Sequence, residues 1–178
     1  MPAAFEPVQG LGLQRMSADF RIRPYREADL PVLRRMIDDL QEAECAMDWS
    51  RAHWADGAAA YTDWTLDEMA AHSGAAFVAE APDGGPIGIV TCWRAEDPTD
   101  ITVTPEARVH LYVSDLFVAE SWRGRNVAGA LLAAAEQHGR ALGLRQMTIG
   151  LLAVNHAARR AYEKSGFQDY EMLLRKRL

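Results

Sequence analysis

The chain has 178 residues, of which 49% are hydrophobic and 25% are charged. This composition predicts one folded domain rather than a disordered chain. The 25 acidic residues outnumber the 19 basic ones, and the net charge of −6 argues against nucleic acid as a partner. We also expect no membrane partner and a cytoplasmic location, because no stretch approaches the ~18 apolar residues of a membrane span and the first residues do not resemble a secretory signal.

The cysteines and histidines show no metal-binding or disulfide pattern in the sequence. Cys45 and Cys92 are far apart, and no two histidines have the spacing of ligands on one helical turn. We therefore predict neither a metal site nor a disulfide.

The first half of the chain predicts strands and helices in alternation. Residues 1–16 lack a hydrophobic period and are interpreted as an N-terminal extension, with one domain over residues 17–178. Phe20 and Ile22 indicate a strand, and Asp29 is placed to cap a helix. A second helical region, residues 50–73, has Gly57 as an interruption and Thr65 as the cap of a second piece.

The rest of the chain again alternates between the two-residue hydrophobic period of strands and the longer period of helices. Residues 75–80 and 87–96 predict a hairpin, and residues 108–118 predict a long strand. A helix over 127–143, a strand over 145–154, a helix over 155–166 and a last strand over 167–178 follow. The expected fold is α/β (α+β), with a mixed central sheet of six to seven strands and about four helices.

The turn that precedes the helix at residue 127 has the composition of an anion site. A helix N-terminus presents unpaired backbone N–H groups and a partial positive charge. Gly124 and Ala128 leave room for an anion, while Arg123 and Arg125 add positive charge. A pyrophosphate is the predicted occupant.

A second motif begins about thirty residues later, and the two motifs together resemble the GNAT superfamily of N-acetyltransferases. The family's acetyl-CoA loop, [R/Q]xxGx[G/A], is matched by Arg123, Gly124, Arg125, Asn126, Val127 and Ala128. Its later motif is matched by Asn155, Ala158, Tyr162, Gly166 and Phe167. The resemblance extends over residues 17–178.

The resemblance implies a sheet that splays between its central strands, with the pantetheine arm of acetyl-CoA in the gap. Leu116, Phe117 and Val118 would contact the arm through their main chain. A backbone N–H near Phe117 would stabilise the oxyanion of a tetrahedral intermediate. No covalent acyl-enzyme is implied.

Three polar side chains lie within the two motifs that resemble the GNAT family. Asn126 replaces the family's usual Gly, and Asn tolerates the left-handed conformation best among ordinary residues; its side chain either contacts a phosphate or weakens cofactor affinity. Tyr162 resembles the family's general acid, which protonates the departing thiolate, although a Tyr here also suits simple packing on the sheet. Asn155 is expected to cap its helix and, by the resemblance, to contact the pantetheine arm.

The general base is predicted to be Asp115. It shares strand parity with Val113 and Phe117, so apolar neighbours would raise its pKa. The alternatives are a structural Asp115 or a water relay through His110 or Tyr112, and a bulge in this strand would change the parity. Ser114 fills the position at which some polyamine-acetylating relatives carry Glu.

The acceptor is suggested by the first two helical regions. Between Ile37 and Met69 nine acidic residues accompany Arg51 alone. Trp49, Trp54, Tyr61 and Trp64 lie among them, a combination that suits a cationic amine. The alternative is that the acids form a solvated face and the aromatic residues belong to the core.

These interpretations favour an acetyl-CoA-dependent N-acetyltransferase that acts on a primary amine of a small cationic molecule such as a polyamine, an aminoglycoside or an amino-acid-like compound. The enzymatic alternative is a protein lysine or N-terminal acetyltransferase. The non-enzymatic alternative is a CoA-binding or interaction module. The sequence leaves a homodimer open.

Overall fold

The computed structural model describes residues 19–54, 57–97 and 101–178. The predicted extension, residues 1–16, lies outside these ranges. Within them the helices are α1 (Leu30–Met47), α2 (Ala59–Ala71), α3 (Val127–Ala141) and α4 (His156–Lys164). The strands are β1 (Arg21–Pro24), β2 (Ala75–Glu80), β3 (Pro86–Glu96), β4 (Val109–Val118) and β5 (Met147–Ile149).

The five strands form one mixed sheet in the order β1-β2-β3-β4-β5. The first four are antiparallel neighbours, and β5 is parallel to β4. The mixed α/β fold and the four helices are confirmed. The expected six to seven strands exceed the five that the described residues form.

The last predicted strand is wrong, because residues 167–178 form no strand. Met172, Leu173 and Leu174 are consecutive rather than alternating, so a strand here could not bury all three on one face, and all three are exposed. β5 is also shorter than predicted, since it ends at Ile149, just before Gly150. The helix that follows ends as predicted, with Gly166 in the left-handed region at φ +92°.

Two predicted helix caps, Thr65 and Asp29, do not form. Thr65 lies inside a single continuous α2 and is fully buried. Asp29 precedes α1, but its carboxylate accepts hydrogen bonds from Arg23 at 2.7 and 2.8 Å and from the Arg26 N–H at 2.8 Å. These bonds hold the pKa of Asp29 below its ordinary value, and they tie β1 to the start of α1.

Helices cover both faces of the sheet. α3 covers one face, where Val90, Leu111 and Leu131 are buried together. α1 and α2 cover the other, where Leu33 and Ile89 are buried. The exposed fraction of these side chains is 0 or 1%, so burial of apolar surface on both faces stabilises the fold.

A β-bulge at Ser114 changes the face to which β4 side chains point. Thr91 pairs with Asp115 while Cys92 pairs with Val113, so Ser114 is the extra residue. Val113 packs on the α3 face, whereas Phe117 packs on the α1 and α2 face. The parity prediction was therefore wrong: Asp115 does not share a face with Val113.

Candidate active site

The predicted anion loop leads directly into α3. Asn126 adopts the left-handed conformation, with φ 64° and ψ 22°, and Gly124 has φ +78°. Val127 is 1% exposed and anchors the first turn of the helix. The first-turn N–H groups of α3 are thereby held at the end of β4, where an anion can bind them.

Two arginines flank this loop in different ways. The Arg123 Nε donates a hydrogen bond to the Val118 carbonyl oxygen at 3.2 Å, which ties the loop to the end of β4. The Arg125 guanidinium lies 4.8 Å from the centre of the Trp122 ring. Both side chains belong to exposed residues, so their charge is available to a ligand.

The Asn126 side chain lies against α3. A Cβ placed on Gly129 would lie 2.5 Å from the Asn126 Oδ1, so this side chain occupies the space beside the first helical turn. The left-handed backbone predicted for Asn126 is confirmed. Ala128, the last residue of the loop motif, is half-buried in the same turn.

β4 and β5 separate beyond their third paired residue. Their pairing ends at Val113 and Ile149, although β4 continues to Val118. Leu116, Phe117 and Val118 pair with β3 on one side, and within the described part of the chain they have no strand partner on the β5 side. An extended ligand could pair with this unoccupied strand edge.

The second predicted motif lies on α4. The Asn155 Oδ1 accepts a hydrogen bond from the Ala158 N–H at 3.0 Å, so the predicted helix cap is confirmed. The Tyr162 ring lies 5.9 Å from that of Phe167 and packs against the α3-side core. Burial, with a smaller effect from Glu44, raises the pKa of Tyr162 to about 12, so the phenol stays protonated at neutral pH.

Asp115 is 4% exposed and lies on the face covered by α1 and α2. Its Oδ2 accepts a hydrogen bond from the Thr91 hydroxyl at 2.7 Å, and its Oδ1 accepts one from the Tyr61 hydroxyl at 3.2 Å. Burial raises the pKa of Asp115, and the hydrogen bonds oppose that shift. The carboxyl group is therefore buried and connected to Tyr61 of α2.

Tyr61 joins the helical layer to the bulge in β4. Its hydroxyl lies 3.1 Å from the Ser114 Oγ as well as 3.2 Å from Asp115. Burial and the nearby Asp115 charge raise the pKa of Tyr61 to about 12, so it remains a hydrogen-bond donor at neutral pH. Its ring stacks on Trp54, with centroids 5.1 Å apart.

Glu44 of α1 is the acidic residue whose charge affects the pKa values of the side chains in this region. Its charge raises the pKa of Tyr112, Asp115 and Tyr162, although burial is the larger cause in each case. Its Oε2 lies 3.0 Å from the Arg51 Nε, and the Glu44 side chain is 23% exposed. Glu44 and Arg51 thus place one paired negative and positive charge near the half-buried Tyr112 and Tyr162.

Only some of the aromatic and acidic residues predicted to bind the acceptor amine lie close together. Rings of the α1–α2 loop, α2, β3 and β4 form a continuous array with neighbouring centroids 5.1 to 5.8 Å apart, which comprises Trp54, Tyr61, Trp64, Trp93 and Tyr112. Trp49 lies outside this array, beneath Arg175 and Arg177. Asp48 and Asp63 pair with Arg175 and Arg34 at 2.6 Å, so those acids lie in separate ion pairs.

A separate cleft of about 1170 Å³ lies along β5 and beside the first residues of β4. His110 and Arg140 line it, but the anion loop does not. His110 precedes Asp115 by five residues of extended strand, or roughly 15 Å, which is too far for a single water to join them. The structure thus argues against the His110 relay, whereas Tyr112 stays beside Trp93 in the aromatic array.

Sequence reasoning missed Thr91 and gave no separate role to Tyr61 or Glu44. The register of the β3–β4 pair determines that Thr91 faces Asp115, and the bulge displaces that register by one residue. The sequence indicated Tyr61 only as one of four aromatic residues suited to a cationic amine.

Comparison with known proteins agrees with this geometry. The profile of the Acetyltransferase (GNAT) family matches residues 34–167. The uncharacterized N-acetyltransferase YycN of Bacillus subtilis is 34% identical over 67 residues, which are 38% of this chain. The match spans 43% of the length of YycN.

Solved structures share the fold. A mutant of the BH1408 protein of Bacillus halodurans has a TM-score of 0.78 at 16% identity, over 88% of this chain and 98% of that one. The aminoglycoside acetyltransferase AAC(6')-Iy, solved with the bisubstrate analogue CoA-S-monomethyl-acetylneamine, has a TM-score of 0.68 at 24% identity, over 89% of this chain and 97% of that one.

Among the described residues, no helix combines the length and apolar character needed to cross a membrane. The family profile covers most of the chain, including the anion loop, β4 and the helix with Tyr162. The resemblance inferred from the two motifs is therefore confirmed, and the chain belongs to the GNAT family of acetyltransferases.

Proposed function

We propose that the chain transfers the acetyl group of acetyl-CoA to a primary amine of a small cationic molecule, by direct attack in a ternary complex. The observation that carries this proposal is the buried Asp115 carboxyl group, which lies on β4 where β4 and β5 separate and is bonded to Thr91 and Tyr61. A buried carboxyl group beside a strand edge suited to an extended ligand can serve as a base next to a bound thioester.

The cofactor would lie between the anion loop and the gap in the sheet. The loop residues, Arg123, Gly124, Arg125, Asn126, Val127 and Ala128, would bind the pyrophosphate. Leu116, Phe117 and Val118 would pair with the pantetheine arm on one side of the gap, and Asn155 and Ala158 would line the other. The left-handed Asn126 and the free strand edge support this placement.

Asp115 would accept the proton that the amine loses, either directly or through Tyr61. The amine lone pair attacks the thioester carbonyl carbon, and the oxyanion accepts a hydrogen bond from a backbone N–H near Phe117. The C–S bond then breaks. The CoA thiolate takes a proton from Tyr162, and solvent exchange restores both protein groups.

The raised pKa of Tyr162 constrains its role as the acid. A phenol with a pKa of about 12 holds its proton more tightly than a thiol in water, whose pKa is near 8.5. A thiolate released in the same buried site is also desolvated, and its pKa rises for the same reason. Tyr162 would therefore donate its proton as the charge on sulfur develops.

The layer formed by α1 and α2 favours a small acceptor over a protein. Tyr61 of α2 reaches Ser114 and Asp115, so this helix covers the site rather than leaving an open groove. The Trp54 and Tyr61 rings suit a cation, and Glu44 supplies a carboxylate. An incoming ammonium group would replace Arg51 as the partner of Glu44, whereas an amino-acid-like acceptor could also use Arg51 to bind its carboxylate.

The test is an acceptor panel with acetyl-CoA, containing a polyamine, an aminoglycoside, an amino acid and a lysine-bearing peptide. Release of the CoA thiol is measured and acetylated products are identified by mass spectrometry. We expect kcat/KM for one small amine to exceed that for the peptide at least tenfold, and Asp115→Asn to abolish most of that transfer. Preference for the peptide would indicate a protein acetyltransferase. Tight CoA binding without transfer or hydrolysis would indicate a non-catalytic module.

A further inference from the structure

Three side chains with metal-binding atoms meet at the C-terminal end of α1. Glu42 and Cys45 are three residues apart on the helix, and His53 reaches them from the α1–α2 loop. One ligand atom from each lies within 4.8 Å of the other two. The His53 Nδ1 is 3.0 Å from both carboxylate oxygens of Glu42.

We propose that Glu42, Cys45 and His53 form a Zn²⁺ site, with a water molecule as the fourth ligand. A thiolate, an imidazole and a carboxylate together suit Zn²⁺, whereas Mg²⁺ and Ca²⁺ prefer oxygen ligands alone. Binding would release the Cys45 thiol proton to solvent, because the thiolate is the form that binds metal.

The distances are close to those that Zn²⁺ requires. Ligand atoms at 2.0 to 2.3 Å from a tetrahedral Zn²⁺ lie about 3.2 to 3.8 Å from one another. The Glu42 and His53 side chains are 53% and 74% exposed, so they can rotate to close the remaining gap to sulfur without disturbing the core.

Contacts beyond the three ligands hold the backbone around the site, and one of their donors, the Gln41 Nε2, also lies 4.0 Å from the Cys45 Sγ. The Gln41 Nε2 donates a hydrogen bond to the Ala52 carbonyl oxygen at 2.7 Å, next to His53. Arg51 pairs with Glu44, and the Ser50 N–H donates to the Asp48 Oδ1 at 2.8 Å. Such supporting contacts hold the loop beside the helix before a metal binds.

The site adjoins the proposed acceptor side but does not depend on the proposed function. Trp54 follows His53 directly and stacks on Tyr61, which in turn bonds to Asp115. A bound Zn²⁺ would fix the end of α1 to the loop that carries Arg51 and Trp54. Metal binding is measured without acetyl-CoA or an acceptor, so its failure is distinguishable from failure of the acetyl transfer.

The experiment titrates the reduced, metal-free full chain with Co²⁺, which reports a thiolate ligand by a near-ultraviolet charge-transfer band. We expect one Co²⁺ per chain, with the band removed by Zn²⁺ in competition. Cys45→Ser should abolish the band, and His53→Ala and Glu42→Gln should each weaken binding at least tenfold.

Matched controls separate this site from general effects of substitution. Cys92→Ala alters the buried cysteine, and His72→Ala alters an exposed histidine that lies 3.6 Å from Glu68. Both should keep the band and the affinity of the parent. The proposal is overturned if the parent shows no thiolate band at saturating Co²⁺, if Cys45→Ser retains it, or if His53→Ala binds as tightly as the parent.

Discussion

The proposed cofactor side and the proposed acceptor side of this protein are built in different ways. On the cofactor side, residues 123–128 are contiguous in sequence, and their conformation is set by the left-handed Asn126 and Gly124. On the acceptor side, Asp115 is bonded to Thr91 of β3 and Tyr61 of α2, which lie 24 and 54 residues away in sequence. Backbone chemistry can be encoded in a short motif, whereas a buried side-chain network requires the whole fold.

This difference predicts that substitutions on the two sides separate cofactor affinity from turnover. A change in the loop should act on CoA binding. A change in the tyrosines or Asp115 should act on the rate of transfer while CoA still binds.

Among the tyrosine and loop substitutions, the largest fall in turnover is expected for Tyr162→Phe. Loss of the hydroxyl removes the proposed acid, so turnover should fall by ~10²-fold or more while acetyl-CoA affinity stays within a few-fold. The packing of the ring against Phe167 is retained by Phe. Steady-state kinetics and calorimetric titration of acetyl-CoA measure the two quantities, and unchanged turnover would remove Tyr162 from the mechanism.

A smaller effect is expected for Tyr61→Phe. This variant keeps the stack on Trp54 but loses the hydrogen bond that favours the charged form of Asp115. The pKa of Asp115 should rise further, so the fall in kcat/KM on the acid side should move to higher pH, with a loss of about tenfold at pH values below the new pKa.

Tyr25→Phe is the matched control for that prediction. Tyr25 also packs beneath α1 and α2, but it belongs to the hydrophobic clusters rather than to the Asp115 network. Its pH profile should equal that of the parent. If the two variants give the same profile, Tyr61 has only a packing role.

The smallest effect is expected for Asn126→Gly. Gly adopts φ 64° without strain and leaves the backbone N–H groups free, so CoA should bind as well as or better than to the parent. Thermal stability without ligand should fall slightly, because Gly raises the entropy of the unfolded chain. Calorimetry that showed a tenfold loss, about 1.4 kcal/mol, would instead make Asn126 a phosphate ligand.

Sequence patterns predicted the local parts of the structure well. The β2–β3 hairpin, the helix that begins at Val127 and the Asn155 cap each depend on neighbouring residues, and each is confirmed. The predicted Thr65 cap and the predicted strand over residues 167–178 are wrong, because both depend on tertiary packing. Thr65 resembles a cap but is buried in a continuous helix, and residues 172–174 are apolar but have no face on which to bury.

Asp115 is buried as expected, but it lies on the face of the sheet opposite to the one predicted. Alternation along β4 predicted a buried acid on the face of Val113, and the bulge at Ser114 places the acid on the opposite face. It is buried there by α1 and α2 instead. A bulge depends on pairing between strands, so the sequence of β4 alone could not locate it.

The pH dependence of kcat/KM for the preferred amine, in the parent and in Asp115→Asn at saturating acetyl-CoA, tests the central claim most directly. Burial raises the pKa of Asp115, and only the ionised carboxylate can accept a proton, so activity should increase as pH rises through that raised pKa. The acceptor amine titrates identically in both proteins. We predict that Asp115→Asn loses this ionisation and ~10²-fold in rate while binding acetyl-CoA normally; an unchanged profile with a rate within twofold of the parent would exclude Asp115 as the base.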